Sequence, residues 1–129
     1  WGAAVVEIEM NSLSLETLVR GVWLCLDGGK AVDNAFIRRT VETGILNTLN
    51  WISLSCAEPL KGNPDSAFIP PVTIEIINSG KKMQPGGVGE LPMNLIPAAY
   101  ITAASQAAGC YLDSLPLYPE LIFQYAEEE

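Results

Sequence analysis

The pattern of apolar and polar positions in the first 27 residues predicts two strands. Residues 3–10 alternate between apolar and acidic side chains from Val6 to Met10, which is typical of a half-buried strand. Residues 16–27 alternate loosely and then become apolar throughout, which predicts a strand near the centre of its sheet. The Asn-Ser-Leu-Ser turn between them favours an antiparallel hairpin.

A second periodicity predicts a long helix over about residues 35–54. Its apolar residues recur every three or four positions and form one stripe, as expected for a buried helix face. They are Ile37, Val41, Ile45, Leu49 and Ile52. Either Asp33 or Asn34 could accept hydrogen bonds from the free N–H groups of the first turn.

The second half of the chain predicts one more strand, one more helix and a short helical turn. Residues 72–77 alternate as a strand, and residues 94–109 read as a helix that ends at Gly109. Pro97 fits the first turn of that helix, and a short helical turn is expected after Pro119. The predicted contact face of the helix is small and consists of Ala99, Ala103 and Ala107.

The resulting order is β-β-α-β-α, an α+β fold in which an antiparallel hairpin and a further strand pack with two helices. A length of 129 residues fits one domain over residues 1–129. The spacing of the aromatic residues Trp23, Phe36, Trp51 and Tyr100 is typical of core positions. Two long loops, 57–71 and 78–92, interrupt the fold, and long loops in a compact domain are usually functional.

Composition narrows the choice of partners. The net charge is −8, from 15 acidic and 7 basic residues, and without a Lys/Arg stripe it argues against nucleic-acid binding and against an anionic membrane surface. The apolar fraction of 49% is high for a free-standing domain. Together with a start at Trp1 rather than methionine, it predicts an excerpt of a longer protein.

The residues that usually carry hydrolytic or metal chemistry are scarce. The chain has no histidine and three widely spaced cysteines, which excludes zinc sites, Ser-His-Asp triads and Cys-His dyads in their usual forms. No protein metal ligand is predicted. The cysteines, Cys25, Cys56 and Cys110, are expected to be ordinary thiols in a reducing, cytoplasmic compartment.

Residues 86–90, Gly-Gly-Val-Gly-Glu, are the leading candidate for chemistry. Glycines allow a backbone to approach a bound group closely, and a carboxylate such as Glu90 in a water-poor pocket can act as a general base. Alternatively, Glu90 lies at the start of the next helix and complements its dipole. A second carboxylate at glycosidase spacing and a phosphate-loop lysine are both missing.

Several motifs then occur in a specific order. They are an acidic strand, a strand that ends in Asp-Gly-Gly, a helix with Val-Glu-Thr-Gly, a Pro-Pro-Val strand, a Gly-Val-Gly-Glu loop with a proline just after it, an Ala-rich helix that ends in Ala-Ala-Gly, and Leu-Pro-Leu-Tyr-Pro-Glu-Leu-Ile. This order resembles the C-terminal part of the molybdenum-binding subunit of the xanthine dehydrogenase/aldehyde oxidase family. The resemblance covers roughly residues 4–122.

The resemblance implies a part of a molybdenum hydroxylase that oxidises purines, other N-heteroaromatics or aldehydes, with water as the oxygen source. It implies Glu90 as the general base, and Gly87, Val88, Gly89 and Thr40 as contacts of a molybdenum–molybdopterin cofactor, with or without a nucleotide. Expected partners are the remaining molybdenum-binding domains together with iron–sulfur and flavin domains or subunits. The isolated chain is expected neither to retain the cofactor nor to turn over.

The chain departs from the family pattern at four positions. Leu91 replaces the first of two prolines, Thr40 stands where the family has a glutamine that helps hold the pterin, and Asn47-Thr48 replaces Gln-Gly. Thr40 and Asn47-Thr48 favour an alternative, a non-catalytic binding or structural remnant of the same fold, whereas the intact Gly-Val-Gly-Glu motif favours the catalytic function more. A third hypothesis is a small-molecule binder whose glycine loop holds an anion.

Overall fold

A computed structural model describes residues 1–30, 33–56, 70–77 and 84–128. Along the chain, the elements are β1 (Gly2–Met10), β2 (Thr17–Leu26), α1 (Asn34–Cys56), β3 (Val72–Ile76), α2 (Leu91–Ala108) and α3 (Pro119–Glu128). The order β-β-α-β-α is confirmed, and the helical turn expected after Pro119 is a full helix. Of the two predicted loops, residues 57–69 and 78–83 lie outside the described ranges.

In the part of the chain that the structure describes, the strands form one mixed sheet in the order β1-β2-β3. β1 and β2 are antiparallel, with Val5 opposite Trp23, as the hairpin prediction required. β3 runs parallel to β2, with Ile74 beside Leu24. A parallel neighbour needs a crossover connection between the two strands, and α1 lies in that connection.

One face of the sheet, called the inner face here, carries the core. Val6, Val22, Leu24 and Ile74 project from this face and form a single buried cluster with the α1 stripe. Within that stripe, the residues from Val41 to Ile52 are buried, so the predicted helix face is confirmed. The apolar segment of β2 lies between its two neighbours, as expected for a central strand.

The start of α2 differs from the prediction. The helix begins at Leu91, three residues earlier than expected, with Pro92 in its first turn. Pro97 therefore lies inside the helix, where its missing N–H removes one helical hydrogen bond. The predicted end is confirmed, because Gly109 is left-handed with φ 74° and donates its N–H to the Ser105 carbonyl.

The predicted contact face of α2 is also wrong. The buried residues are Pro92, Ile96, Tyr100 and Ala104, whereas Ala99 and Ala103 are half-buried and Ala107 is exposed. The true face is rotated by one residue because larger side chains fill the space above β1. Tyr100 is the largest of these buried side chains, and its hydroxyl lies 2.5 Å from Thr17 Oγ1 in β2.

Three of the four aromatic residues expected in the core are not buried. Trp23, Phe36 and Trp51 are 43%, 68% and 48% exposed, and Tyr100 is 1% exposed. Spacing along a strand or helix shows that these residues share a face with other apolar residues. It does not show whether anything covers that face. Among the described residues, none of the helices is long and apolar enough to cross a membrane.

Candidate functional site

The turn after β2 forms one side of the candidate site. Asp27 is buried at 3% exposure, and its Oδ1 accepts a hydrogen bond from the Gly29 N–H at 2.8 Å. Gly29 has a φ of 76°, a left-handed conformation that favours glycine. The Asp-Gly-Gly motif is therefore a turn that reverses the chain at the carboxyl end of β2.

This turn is joined to the loop that precedes α2. The Gly86 N–H donates to the Gly28 carbonyl at 2.6 Å, and Gly29 forms an isolated bridge with Pro85. A Cβ at Gly28 would lie 2.8 Å from Val88 Cγ1, and a Cβ at Gly86 would lie 3.1 Å from the Gly28 carbonyl oxygen. Gly28 and Gly86 are thus required by close packing between the two segments.

The first turns of α1 form the opposite wall. Asp33 caps the helix, since its Oδ1 accepts from the N–H groups of Ala35 at 2.8 Å and Phe36 at 3.2 Å. Of the two predicted capping residues, Asp33 is the one that the structure confirms. By fixing the start of α1, this cap sets which residues of the helix face the glycine loop, namely Phe36, Ile37 and Thr40.

A cleft of about 570 Å³ lies between these segments. It is lined by Gly28, Lys30, Asp33, Phe36, Ile37, Thr40, Pro85, Gly86, Gly87, Val88 and Gly89. All four residues predicted as cofactor contacts, Thr40, Gly87, Val88 and Gly89, are brought together here. Their proximity is a result of the fold, because Thr40 is separated from the loop by more than forty residues.

Sequence reasoning missed the other lining residues, above all Lys30, Phe36 and Ile37. A usable signal existed in the connection between β2 and α1. In sheets with parallel strands, ligands bind beyond the carboxyl ends of those strands, and the segment that follows Leu26 occupies that position. The parallel pairing of β2 with β3 was not predicted, so this rule could not be applied.

Gly87 and Gly89 differ from the other two glycines in the cleft. A Cβ at Gly87 would meet nothing within 4 Å, and one at Gly89 would meet Thr40 Cγ2 at 3.9 Å, an ordinary contact. Neither has a positive φ. Neither packing within the chain nor backbone conformation therefore requires glycine at these two positions. Because they lack side chains, both residues leave the backbone open toward the cleft.

Thr40 presents its methyl group rather than its hydroxyl donor to the loop. The Thr40 hydroxyl donates to the Phe36 carbonyl at 2.9 Å, and its Cγ2 is the atom nearest to a Cβ built on Gly89. Together with Phe36 and Ile37, the methyl makes the α1 wall of the cleft largely apolar.

Glu90 follows the cleft directly but does not line it. It is the N-cap residue of α2, with φ −90° and ψ −12°, and its side chain makes no capping hydrogen bond to the helix. The side chain is exposed, whereas a general base needs a water-poor pocket. Enclosure of Glu90 would have to come from a ligand or from further polypeptide.

Among the described residues, no three His, Cys, Asp or Glu side chains come close enough together to hold a metal ion. The described cysteines are free thiols, Cys25 half-buried and Cys110 buried. The side chain of Cys56 lies outside the described part of the chain.

Comparison with known proteins gives a consistent set of relatives. A probable xanthine dehydrogenase subunit of Bacillus subtilis (strain 168) is 26% identical over 138 residues, which cover 96% of this chain and 18% of that protein. The aldehyde oxidoreductase of Desulfovibrio gigas has a similar structure, with a TM-score of 0.73 and 25% identity over 95% of this chain and 15% of that one. This chain is homologous to the molybdenum-binding subunit of the xanthine dehydrogenase/aldehyde oxidoreductase family.

Further comparisons set the extent of this relationship. The quinoline 2-oxidoreductase of Pseudomonas putida 86 shares the fold, with a TM-score of 0.71 at 18% identity, covering 95% of this chain and 18% of its own. No protein-family model matches the chain. This molybdenum-hydroxylase homologue thus spans less than a fifth of the length of the relatives that it matches.

Proposed function

We propose that this chain is a piece of the C-terminal molybdopterin-binding domain of a molybdenum hydroxylase, where it forms part of the cofactor cleft and supplies Glu90 as general base. The observation that carries the proposal is the open backbone at Gly87 and Gly89. These glycines have no structural reason within the chain, and both face the cleft that contains the other predicted contacts. Close approach of a bound group to the loop would explain them.

Some of the residues that line the cleft fit a molybdenum–pterin group better than others. The Gly86–Gly89 backbone is accessible from the cleft and could lie against a cofactor edge, and Val88 fixes the loop from behind by packing on Gly28. Thr40 would contribute a methyl contact instead of a hydrogen-bond donor, because its hydroxyl hydrogen is used within α1. When bound, the molybdenum–pterin group supplies the redox centre of the oxidation.

Within this proposal, the role of Glu90 is to accept a proton during the reaction. Glu90 follows Gly89, the last residue of the loop that lines the cleft, and its side chain is not used to cap α2. The loop is held on one side by Gly28 and on the other by the start of α2. These contacts within the chain therefore fix the backbone position of Glu90.

We propose substrates of the class oxidised by the family, namely purines, other N-heteroaromatics or aldehydes, and a cytoplasmic location. The partners would be further molybdenum-binding domains and redox domains or subunits, since homologues are parts of multi-domain molybdenum hydroxylases. The 129 residues by themselves are expected to show no hydroxylase turnover, because they leave Glu90 exposed and span less than a fifth of the length of their relatives.

The decisive experiment is to purify the whole protein that contains this sequence, together with its co-purifying subunits. Its molybdenum and pterin content would be measured, and turnover would be assayed with purine, quinoline and benzaldehyde. Stoichiometric molybdenum with water-dependent hydroxylation of any one of them supports the proposal. A protein that binds no molybdenum and oxidises none of them contradicts it.

One observation favours the alternative function, a non-catalytic binding or structural remnant. The hydroxyl of Thr40 is bonded inside its own helix, so the α1 wall offers no side-chain donor at that position. A whole protein that folds and assembles normally, binds no molybdenum when molybdenum is supplied and oxidises none of the three compounds would support the structural function.

A further inference from the structure

The outer face of the sheet, opposite the helices, carries an apolar centre formed by Val5 and Trp23. The two residues are direct cross-strand partners in β1 and β2, and they remain 63% and 43% exposed. Ala3 and Cys25 form the next pair on this face. Together these four residues, here called the outer patch, place apolar side chains where the described helices do not cover them.

The sequence of β2 is suited to burial on both sides. Leu24 and Leu26 are buried on the inner face, while Trp23 and Cys25 occupy the outer face between them. Strands that face solvent on one side usually carry polar residues there, whereas strands buried on both faces have near-continuous apolar sequences. Residues 22–26 of β2, Val-Trp-Leu-Cys-Leu, form such a sequence.

The indole of Trp23 adds a local adaptation. A Cβ at Gly21 would lie 2.6 Å from the Trp23 ring, so the ring lies along the strand over Gly21 instead of projecting into solvent. Gly21 is itself buried by this contact. The result is a low, flat apolar surface, of the kind that a second layer of polypeptide can cover.

Two exposed carboxylates flank the outer patch. Glu7 lies opposite Gly21 on the same face, and Glu75 lies beside Cys25 in β3; both are exposed. Glu9, farther along β1, pairs with Arg20. Two copies of this chain docked through the patch would bring like charges together, and the net charge of −8 opposes self-association in general.

We propose that the outer patch is an interface for a folded polypeptide surface with an apolar centre and a basic rim, and that this surface belongs to another domain or subunit of the assembly in which the chain works. Complementary charge selects the partner, and Trp23 provides the central contact, as buried tryptophans often do in interfaces. The inference concerns a surface on the side of the sheet away from the cleft. It holds whether or not Glu90 is catalytic.

The first test is hydroxyl-radical footprinting of the native assembly, purified from its source, with the 129-residue chain as the reference. Trp23 is expected to be oxidised much more slowly in the assembly, while Leu13, which is 95% exposed in the β1–β2 turn, keeps a similar rate. Equal oxidation of Trp23 in both samples overturns the proposal. This readout does not depend on molybdenum or on turnover.

The second test measures affinity for the purified remainder of the assembly. Trp23→Glu is expected to weaken binding by about 30-fold or more, as loss of an interface hot spot does, whereas Leu13→Glu leaves it nearly unchanged. Charge reversal in the double variant Glu7→Lys/Glu75→Lys should weaken binding at low salt and have less effect at high salt.

Two results would overturn the choice of partner. One is a concentration-dependent dimer of the wild-type chain that Trp23→Glu converts to a monomer, which would assign the patch to a second copy. The other is tighter binding by the Glu7→Lys/Glu75→Lys variant, which would indicate an acidic partner. A circular-dichroism melt of each variant confirms that it is folded.

Discussion

Gly28 and Val88 lie so close together that a methyl group on Gly28 would be 2.8 Å from Val88 Cγ1. This contact joins the turn after β2 to the glycine loop before α2. It fixes these two segments to each other on one side of the cleft, with the hydrogen bond from the Gly86 N–H to the Gly28 carbonyl beside it. The cleft therefore depends on a glycine that lies outside the loop with the recognisable motif.

The variant Gly28→Ala is expected to destabilise the protein by about 1–3 kcal/mol, the usual cost of overpacking a tight contact. Urea unfolding of the wild type and the variant measures the difference. The matched control is Gly87→Ala, for which the added methyl meets nothing within 4 Å and the change should stay within about 0.5 kcal/mol. Equal effects of the two substitutions would contradict the assignment of Gly28 as the packing residue.

In the whole protein, Gly87→Val is expected to weaken retention of the molybdenum–pterin group by about tenfold or more, because a side chain would occupy the space that the open backbone leaves. Molybdenum content after gel filtration measures the loss. Ala107→Val, at an exposed position of α2, serves as the control and should retain the wild-type content. Normal retention by the Gly87→Val protein would remove the main support for the cofactor site.

The variant Glu90→Gln is expected to lower kcat of the whole enzyme by about 100-fold or more, the usual contribution of a general base, with molybdenum content unchanged. Steady-state turnover and metal analysis together give the result. Glu120 provides a matched control, since it is likewise an exposed glutamate near the start of a helix, and Glu120→Gln should leave kcat unchanged. A fully active Glu90→Gln enzyme would show that the residue merely precedes α2 as its N-cap.

Tyr100→Phe is expected to destabilise the chain by about 1 kcal/mol, because it removes the hydrogen bond between the Tyr100 hydroxyl and Thr17 Oγ1. Thr17→Val and the double variant complete a thermodynamic cycle, in which the two effects should be non-additive. Thermal or urea unfolding is sufficient for all three variants. Additive effects would mean that the two groups are near each other without a stabilising bond.

The features that depend on residues close together in the sequence were predictable. The stripe of α1 appeared in the sequence because apolar residues at three- and four-residue spacing leave a helix one face to bury. The end of α2 was visible at Gly109, since a left-handed residue there favours glycine. The rotation of α2 was not visible, because alanines at the same spacing suggested a face, whereas the fold buries Pro92, Ile96 and Tyr100 instead.

The residues of the candidate site likewise divide into those that the sequence predicted and those that only the structure revealed. The Gly-Val-Gly-Glu motif indicated the loop and Glu90 from adjacent residues in the chain. Lys30, Phe36 and Ile37 became part of the cleft only when the connection from β2 to α1 was seen to run beside that loop. The exposure of Glu90 was likewise invisible, since burial depends on what surrounds a residue in space.

The sequence by itself determined the order of strands and helices, the central position of β2 and the loop that carries the candidate base, because each depends on side-chain period and turn chemistry between near neighbours. The tertiary structure alone decided the parallel pairing of β3 with β2, the face that α2 buries, the commitment of the Thr40 hydroxyl to its own helix, and the exposure of Trp23 beside Val5. These features depend on contacts between residues far apart in the chain. Local patterns leave such contacts open, and the packing of the whole fold selects among them.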